Sequence, residues 1–550
     1  MPSRSVTFSA GSSVSAPMAW GQLAIWRPLL TFADTSRFNL LRTTALGAGV
    51  TPERLLDAVR ALVERHTTLR THFIDGWQEI AGAGEVAVGF WELPESAVAA
   101  EWQSGAALLT ADSFDLTSDW PVRFAAVLGQ NGDVAAVAFA LSHVAADGWT
   151  ADRLLDDLKA LLADTPAPAV TEPRWEPLDQ LAYERSDAGL RVGAASIEHW
   201  SSVFRTAPAS MYDFAPLPVE GPLIGQYRFE SDALAAAAAV LGARSGTTTS
   251  TVVLTIASLW LANHCGQDEA NVELIAGNRV TPRLRALRMH TAQDGLFALR
   301  TRDTDLATAL REAHLAAIKG YRRSMYDPAD LAARIAEISL DRGIYLDRAT
   351  NFNHVRLNVD QLPRSAEVTR ADLAEMATRS VLTRLDPMEW NDKKFFLTLE
   401  QPTADRCVLS LMADSRYLPP AVVESLLWGI ERVARAALDG DLSVRDVTRL
   451  VGVAPVERGP EWVRTRAGWV RPDAVERLVR AVAGAGARLR AHPLADGSVE
   501  LHAHAEGDLD AAVLHRDVVA ALTGQIGVVA PDKYVLGGRT GELVHAAVAR

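Results

Sequence analysis

The apolar positions of this chain follow two rhythms that alternate along its length. In TPERLLDAVRALVERH, Leu55, Leu56, Val59, Leu62 and Val63 recur at helical spacing, with Thr51 as N-cap and Pro52 at the first helical position. TLRTHF, just after it, predicts a strand. In DVAAVAFALSHV, Val137, Phe139 and Leu141 alternate with Ala136, Ala138 and Ala140, which predicts a strand, and TADRLLDDLKALLA predicts a helix from Thr150. The proline-dense stretch DTPAPAVTEPRWEPLDQ resists both helix and sheet and predicts a linker. Beyond it, Ser231 caps an alanine-rich helix, TSTVVLTIASLWLANHCG predicts a second helix, ANVELIAGNR a strand, and YLPPAVVESLLWGIERVARAAL a closing helix.

A second linker is predicted at GVAPVERGPE. The last hundred residues then read as a separate small unit: helices in RPDAVERLVRAVAGAG and AAVLHRDVVAALTG, strands in RLRAHPL, SVELHAHAE and KYVLGG. The expected organisation is an α/β protein with a first lobe over 1–185, a second over 186–450 and a small α/β domain over 451–550.

Composition narrows the function classes. A net charge of −13, spread without blocks, argues against a nucleic-acid partner, whose phosphates need a basic face. The longest apolar runs fall well short of the ~20 residues that span a bilayer, so no membrane role is expected. Two cysteines, Cys265 and Cys407, read as buried small hydrophobes and fit a reducing cytoplasm. No phosphate-cradling loop, zinc-spaced cysteine set or dinucleotide fingerprint occurs, so no metal or bound cofactor is expected.

The stretch LSHVAADGWT carries the candidate chemistry. Alternation puts His143 on the face of Phe139 and Leu141 at the strand's C-terminal end, where α/β proteins often hold active groups, and turns Ser142 to the other face. Asp147 is placed to cap the next helix. Gly148 suits a turn with unusual backbone angles, and Trp149 follows it. Taken alone, a strand-end histidine reads first as a hydrogen-bonded core residue and second as a catalytic one. Asp147 reads either as an orienter of His143 or as a structural anion. Ser142 as a nucleophile fails, because adjacent strand residues point apart.

This stretch resembles the H-H-x-x-x-D-G motif of the condensation domains of nonribosomal peptide synthetases, with His143, Asp147 and Gly148 on the motif's second histidine, aspartate and glycine, and Ser142 in place of its first histidine. Other segments resemble the family in order: APMAWGQLAIWRPL with Gln22 and Trp26, RHTTLRTHF, HCGQDEANVELIAGNR, TPRLRALRMHTAQDGLF and TNFNHV, together covering about residues 15–445. The resemblance implies two chloramphenicol acetyltransferase-like lobes in a V with a central tunnel. It implies amide formation between a thioester-bound acyl or aminoacyl donor and an amine. The donor would arrive on the phosphopantetheine of an acyl or peptidyl carrier protein or synthetase module. It implies that His143 acts as general base or positioning group, and that Asp147 pairs structurally with Arg279 from the other lobe. Two alternatives stay open: an ester-forming or acyl-CoA-dependent enzyme of the same fold, since nothing in the sequence chooses between amine and hydroxyl, and a non-catalytic recruitment module, which Ser142 and the extra tail support.

In the tail, His502 and His504 share one strand face and are expected to face solvent, without a third ligand for a metal. YVLGGRTGEL is similar to a carrier-protein motif, but Thr540 stands where the modified serine would be. The tail's order of elements also resembles the small C-terminal subdomain of adenylate-forming enzymes, with Glu542 after Gly541 where that family has lysine.

Overall fold

Strand β8 (Val134–Leu141) shows why the chain folds as it does. Its larger residues Val137, Phe139 and Leu141 pack with Leu55, Val59 and Leu62 of the helix Pro52–Arg65 and with Leu154 and Leu158 of the helix Gly148–Leu162. Its alanines 136, 138 and 140 join a second cluster with Trp102, Leu109 and Phe114. A strand buried on both faces belongs inside a sheet, and β8 holds an interior place. It lies between β7 (Val122–Leu128) and β3 (Leu40–Ala45) in a five-stranded sheet completed by β1 (Ser3–Ser9) and β6 (Ala83–Glu92), ordered β1-β6-β7-β8-β3. The β6–β7 pair is parallel and the others are antiparallel.

The computed structural model describes residues 2–92, 102, 104–129, 131–163, 175–356, 368–389, 392–506 and 509–537. Most of the proline-dense linker, 164–174, lies outside these, as do Thr540, Gly541 and Glu542. The end of the predicted linker is helical instead: Pro177–Glu184 forms a helix with proline at its first position, where the missing N–H costs nothing. TLRTHF is likewise only half strand. Thr67–Arg70 makes a 3-10 turn before β4 (Thr71–Ile74), because the Leu69 amide returns to the His66 carbonyl.

The described chain clusters into two units, one of 1–195, 276–293 and 325–328, the other of 196–275, 294–324 and 329–550. The second unit is built on a seven-stranded sheet ordered β11-β10-β12-β14-β15-β9-β13, comprising Gln293–Arg300, Glu269–Ala276, Thr350–Arg356, Phe395–Thr403, Arg406–Asp414, Ile224–Ser231 and Val381–Met388 in that order. The helix Thr249–His264 is buried on nearly all sides in its core, which explains a sequence apolar all round. Ser231 caps the helix Asp232–Ser245, and Gly246 ends it at φ +65°, a left-handed conformation open to glycine. Both cysteines are free and buried, and burial pushes their thiols up. No described helix is long and apolar enough to cross a membrane.

The tail belongs to the second unit. Its sheet β18-β19-β20 (Arg488–Pro493, Val499–Glu506, Lys533–Gly537) buries Leu501, Ala503 and Ala505, while His502 and His504 take the opposite, more open face. His502 meets Glu500 at 2.9 Å. The segment predicted as a second linker is a docking strap. Arg458 pairs with Asp213 at 2.7 Å with both side chains buried, and the Val456 amide donates to the His264 carbonyl. A buried carboxylate needs a partner, and Arg458 supplies it.

Candidate functional site

His143 sits two residues beyond β8. The strand ends at Leu141, and residues 142–145 turn, with the Ala145 and Ala146 amides donating to the Ser142 carbonyl at 3.1 and 3.3 Å. The turn, not strand alternation, therefore sets where His143 and Ser142 lie. Ser142 is buried, and its amide donates to the Pro121 carbonyl at 3.0 Å.

The turn folds back on the histidine. His143 Nδ1 stands 2.8 Å from the Ala146 carbonyl oxygen. A carbonyl only accepts, so Nδ1 carries the proton, and in the neutral ring Nε2 keeps its lone pair. Burial pulls the ring below its ordinary imidazole value, against the Ala146 carbonyl and the Asp147 charge, which favour protonation. The ring is thus held neutral near pH 7, with one nitrogen committed and the other free to accept.

Asp147 anchors the next helix and a distant segment together. Its Oδ1 accepts from the Thr150 amide at 2.8 Å, capping the helix Gly148–Leu162. Arg279 Nη2 reaches Asp147 Oδ2 at 2.7 Å, and the Thr291 amide donates to the same oxygen at 3.1 Å. Burial alone would raise the Asp147 carboxyl, but Arg279 and then His290 hold it far below the usual carboxylate range. Arg279 Nη1 also donates to the Leu284 and Leu287 carbonyls at 2.7 and 2.9 Å. The Asp147 carboxylate touches the helix start and the 279–291 segment, not the His143 ring nitrogens. Arg279 was expected on the other lobe; its segment, residues 276–293, clusters with the first unit, because these bonds tie it there.

Gly148 has neither a left-handed backbone nor crowding: an added Cβ would meet only Arg42 Nη2, at 3.7 Å. The expectation of unusual backbone angles there is not met, since Asp147 starts the helix directly. Trp149 Nε1 donates to the Arg285 carbonyl at 3.2 Å.

Three parts of this site escaped the sequence. The His290 ring meets His143 edge to face, with centroids 4.9 Å apart at 75°. Gly21 lies so close to residues 290–291 that a Cβ would fall 2.6 Å from the His290 carbonyl oxygen. Glu184 accepts from the Trp20 amide and from Gln180 Nε2, both at 2.9 Å, and burial pushes its carboxyl up to about 7. It lines a cavity of about 10 Å³ together with Asn278, Thr291 and Gln293, roughly enough for one water molecule. Only His290 had a signal, a lone histidine in RMHTAQ, and no spacing rule links it to His143. Among the described residues no group of three or more histidine, cysteine or acidic side chains is arranged to hold a metal.

Residues 17–291, half of the chain, match the model of the Condensation domain. The chain belongs to the condensation-domain family. Among curated proteins this condensation domain is 28% identical over 335 residues to the probable non-canonical nonribosomal peptide synthetase CymA of Salinispora arenicola, a match covering 55% of this chain and 4% of that protein. It is 29% identical over 285 residues to the phosphinothricin tripeptide synthetase PhsC of Streptomyces viridochromogenes, covering 49% of this chain and 26% of that one. The chain thus spans a small fraction of the relatives it matches. In fold it is similar to the condensation domain that mediates chain release from the enacyloxin polyketide synthase, with a TM-score of 0.58 at 19% identity over 76% of this chain and 82% of that one.

Proposed function

We propose that this condensation domain joins a thioester-bound acyl or aminoacyl donor to an amine, with His143 as the acting residue. The observation that carries the reading is the committed Nδ1 of His143: its bond to the Ala146 carbonyl leaves the Nε2 lone pair to accept from a nucleophile. Because burial lowers the ring, His143 is neutral and ready to accept: Nε2 can hold the amine by a hydrogen bond and take its proton as the C–N bond forms, when that nitrogen becomes more acidic.

The steps balance without any other reagent. The amine nitrogen attacks the thioester carbonyl carbon as its proton passes to His143 Nε2. The new C–N bond forms, the C–S bond breaks, and the proton returns from Nε2 to the departing thiolate. The donor is presented on the phosphopantetheine of a carrier protein or synthetase module, which supplies the thioester and stays outside the chain's own chemistry. Asp147 and Arg279 hold the turn and the 279–291 segment in place and take no proton.

Ser142 does not interrupt this arrangement, since its buried backbone supports the turn while the His143–Ala146 bond is made without it. The experiment is to offer donor thioesters with a panel of amines and alcohols and weigh the products. Amide masses with free thiol support the reading; ester masses alone redirect it to hydroxyl acceptors.

A further inference from the structure

The mechanism above leaves His290 idle, although its ring lies 4.9 Å from that of His143. Its placement is specific. His290 Nε2 stands 3.0 Å from the Ala292 carbonyl, so that nitrogen carries the proton and Nδ1 holds a lone pair. The Ala146 carbonyl, which accepts from His143 Nδ1, also acts on the His290 ring.

We propose that His290 is a positioning residue for His143: its neutral ring braces the His143 ring so that Nδ1 stays on the Ala146 carbonyl and Nε2 stays free. The inference rests on the proposed role of His143 and adds a second residue to it. When His143 takes up a proton, a neutral ring beside it favours the imidazolium, whereas a charged one would repel it. Burial and then the neighbouring His143 push His290 down to about 4, which keeps it neutral through that step. The other charged group acting on it is Asp147, itself held by Arg279.

The test separates bracing from packing by a crossed pair of variants. His290→Gln retains a donor for the Ala292 carbonyl but lacks the ring; His290→Phe retains the ring but lacks the donor. The readouts are the His143 tautomer by ring-nitrogen NMR and the split of kcat from KM. The expected result is a wild-type His143 protonated at Nδ1, a Gln variant that folds but populates both tautomers and loses about tenfold in kcat with KM little changed, and a Phe variant that keeps both tautomer and turnover. A Gln variant equal to wild type, a Phe variant as impaired as Gln, or a wild-type His143 already split between tautomers overturns the proposal. The tautomer readout stands even where His143 proves dispensable for turnover, so the two readings fail separately.

Discussion

Arg279 meets Asp147 at 2.7 Å across 132 residues of chain, and the two side chains are 8% and 7% exposed. Removing either member leaves the other charge buried and alone, a change that typically costs about 3–5 kcal/mol. Arg279→Ala and Asp147→Ala are therefore expected to lose that much in urea denaturation. The pair is also acid-sensitive. Its carboxyl is lower in the folded than in the unfolded state, so its contribution is fully present above the unfolded value and is lost as pH falls below it. The gap between wild type and Asp147→Asn should narrow as the denaturation series moves from pH 6 to pH 3.

Glu184 runs with the opposite sign. Burial raises its carboxyl to about 7, so the folded state holds a proton that the unfolded state gives up. Stability is then lost as pH rises from the unfolded value through about 7. Relative to Glu184→Gln, wild type is expected to lose about 2–3 kcal/mol between pH 5 and pH 8, from roughly 1.4 kcal/mol per pKa unit. Parallel denaturation curves for the two proteins across that range would remove Glu184 as the titrating group.

Gly21 is a glycine for lack of room. A Cβ there would fall 2.6 Å from the His290 carbonyl oxygen and 2.7 Å from Thr291 Cα, both backbone atoms with little freedom to move. Gly21→Ala is expected to cost about 1–3 kcal/mol, as overpacking does, and to lower turnover by shifting the 290–291 segment. Thermal melting together with steady-state rates measures both.

Restoring the family's histidine at 142 should not help. Ser142 is buried, and its backbone closes the turn that carries His143. Ser142→His must fit an imidazole into that space and is expected to lose about 1–3 kcal/mol and some activity, while Ser142→Ala stays close to wild type. A Ser142→His variant more active than wild type would show the turn has room for both rings.

The helices and strands were legible wherever one periodicity ran unbroken. The stripe from Leu55 to Val63 and the alternation from Val134 to Leu141 appear as a helix and a strand. Alternation misled only where the strand stopped: two residues past Leu141 the chain turns, so the side-chain directions of Ser142 and His143 follow hydrogen bonds no pattern encodes. The Asp147–Arg279 pair that the resemblance implied is made, since residue types and order carry that information. His290, Gly21 and Glu184 stayed invisible because each is defined by a contact across more than a hundred residues. The strap at Arg458 read as a linker for the same reason: its proline and glycine look like punctuation until Asp213 is seen beneath it.

If His143 performs the condensation, its loss must stop product formation. The direct measurement is product formation by His143→Ala, followed by mass spectrometry with a donor thioester and its amine, alongside a melting curve to show the fold is intact. The expected result is a folded variant whose amide product falls to the uncatalysed background. Turnover equal to wild type in that folded variant would contradict it.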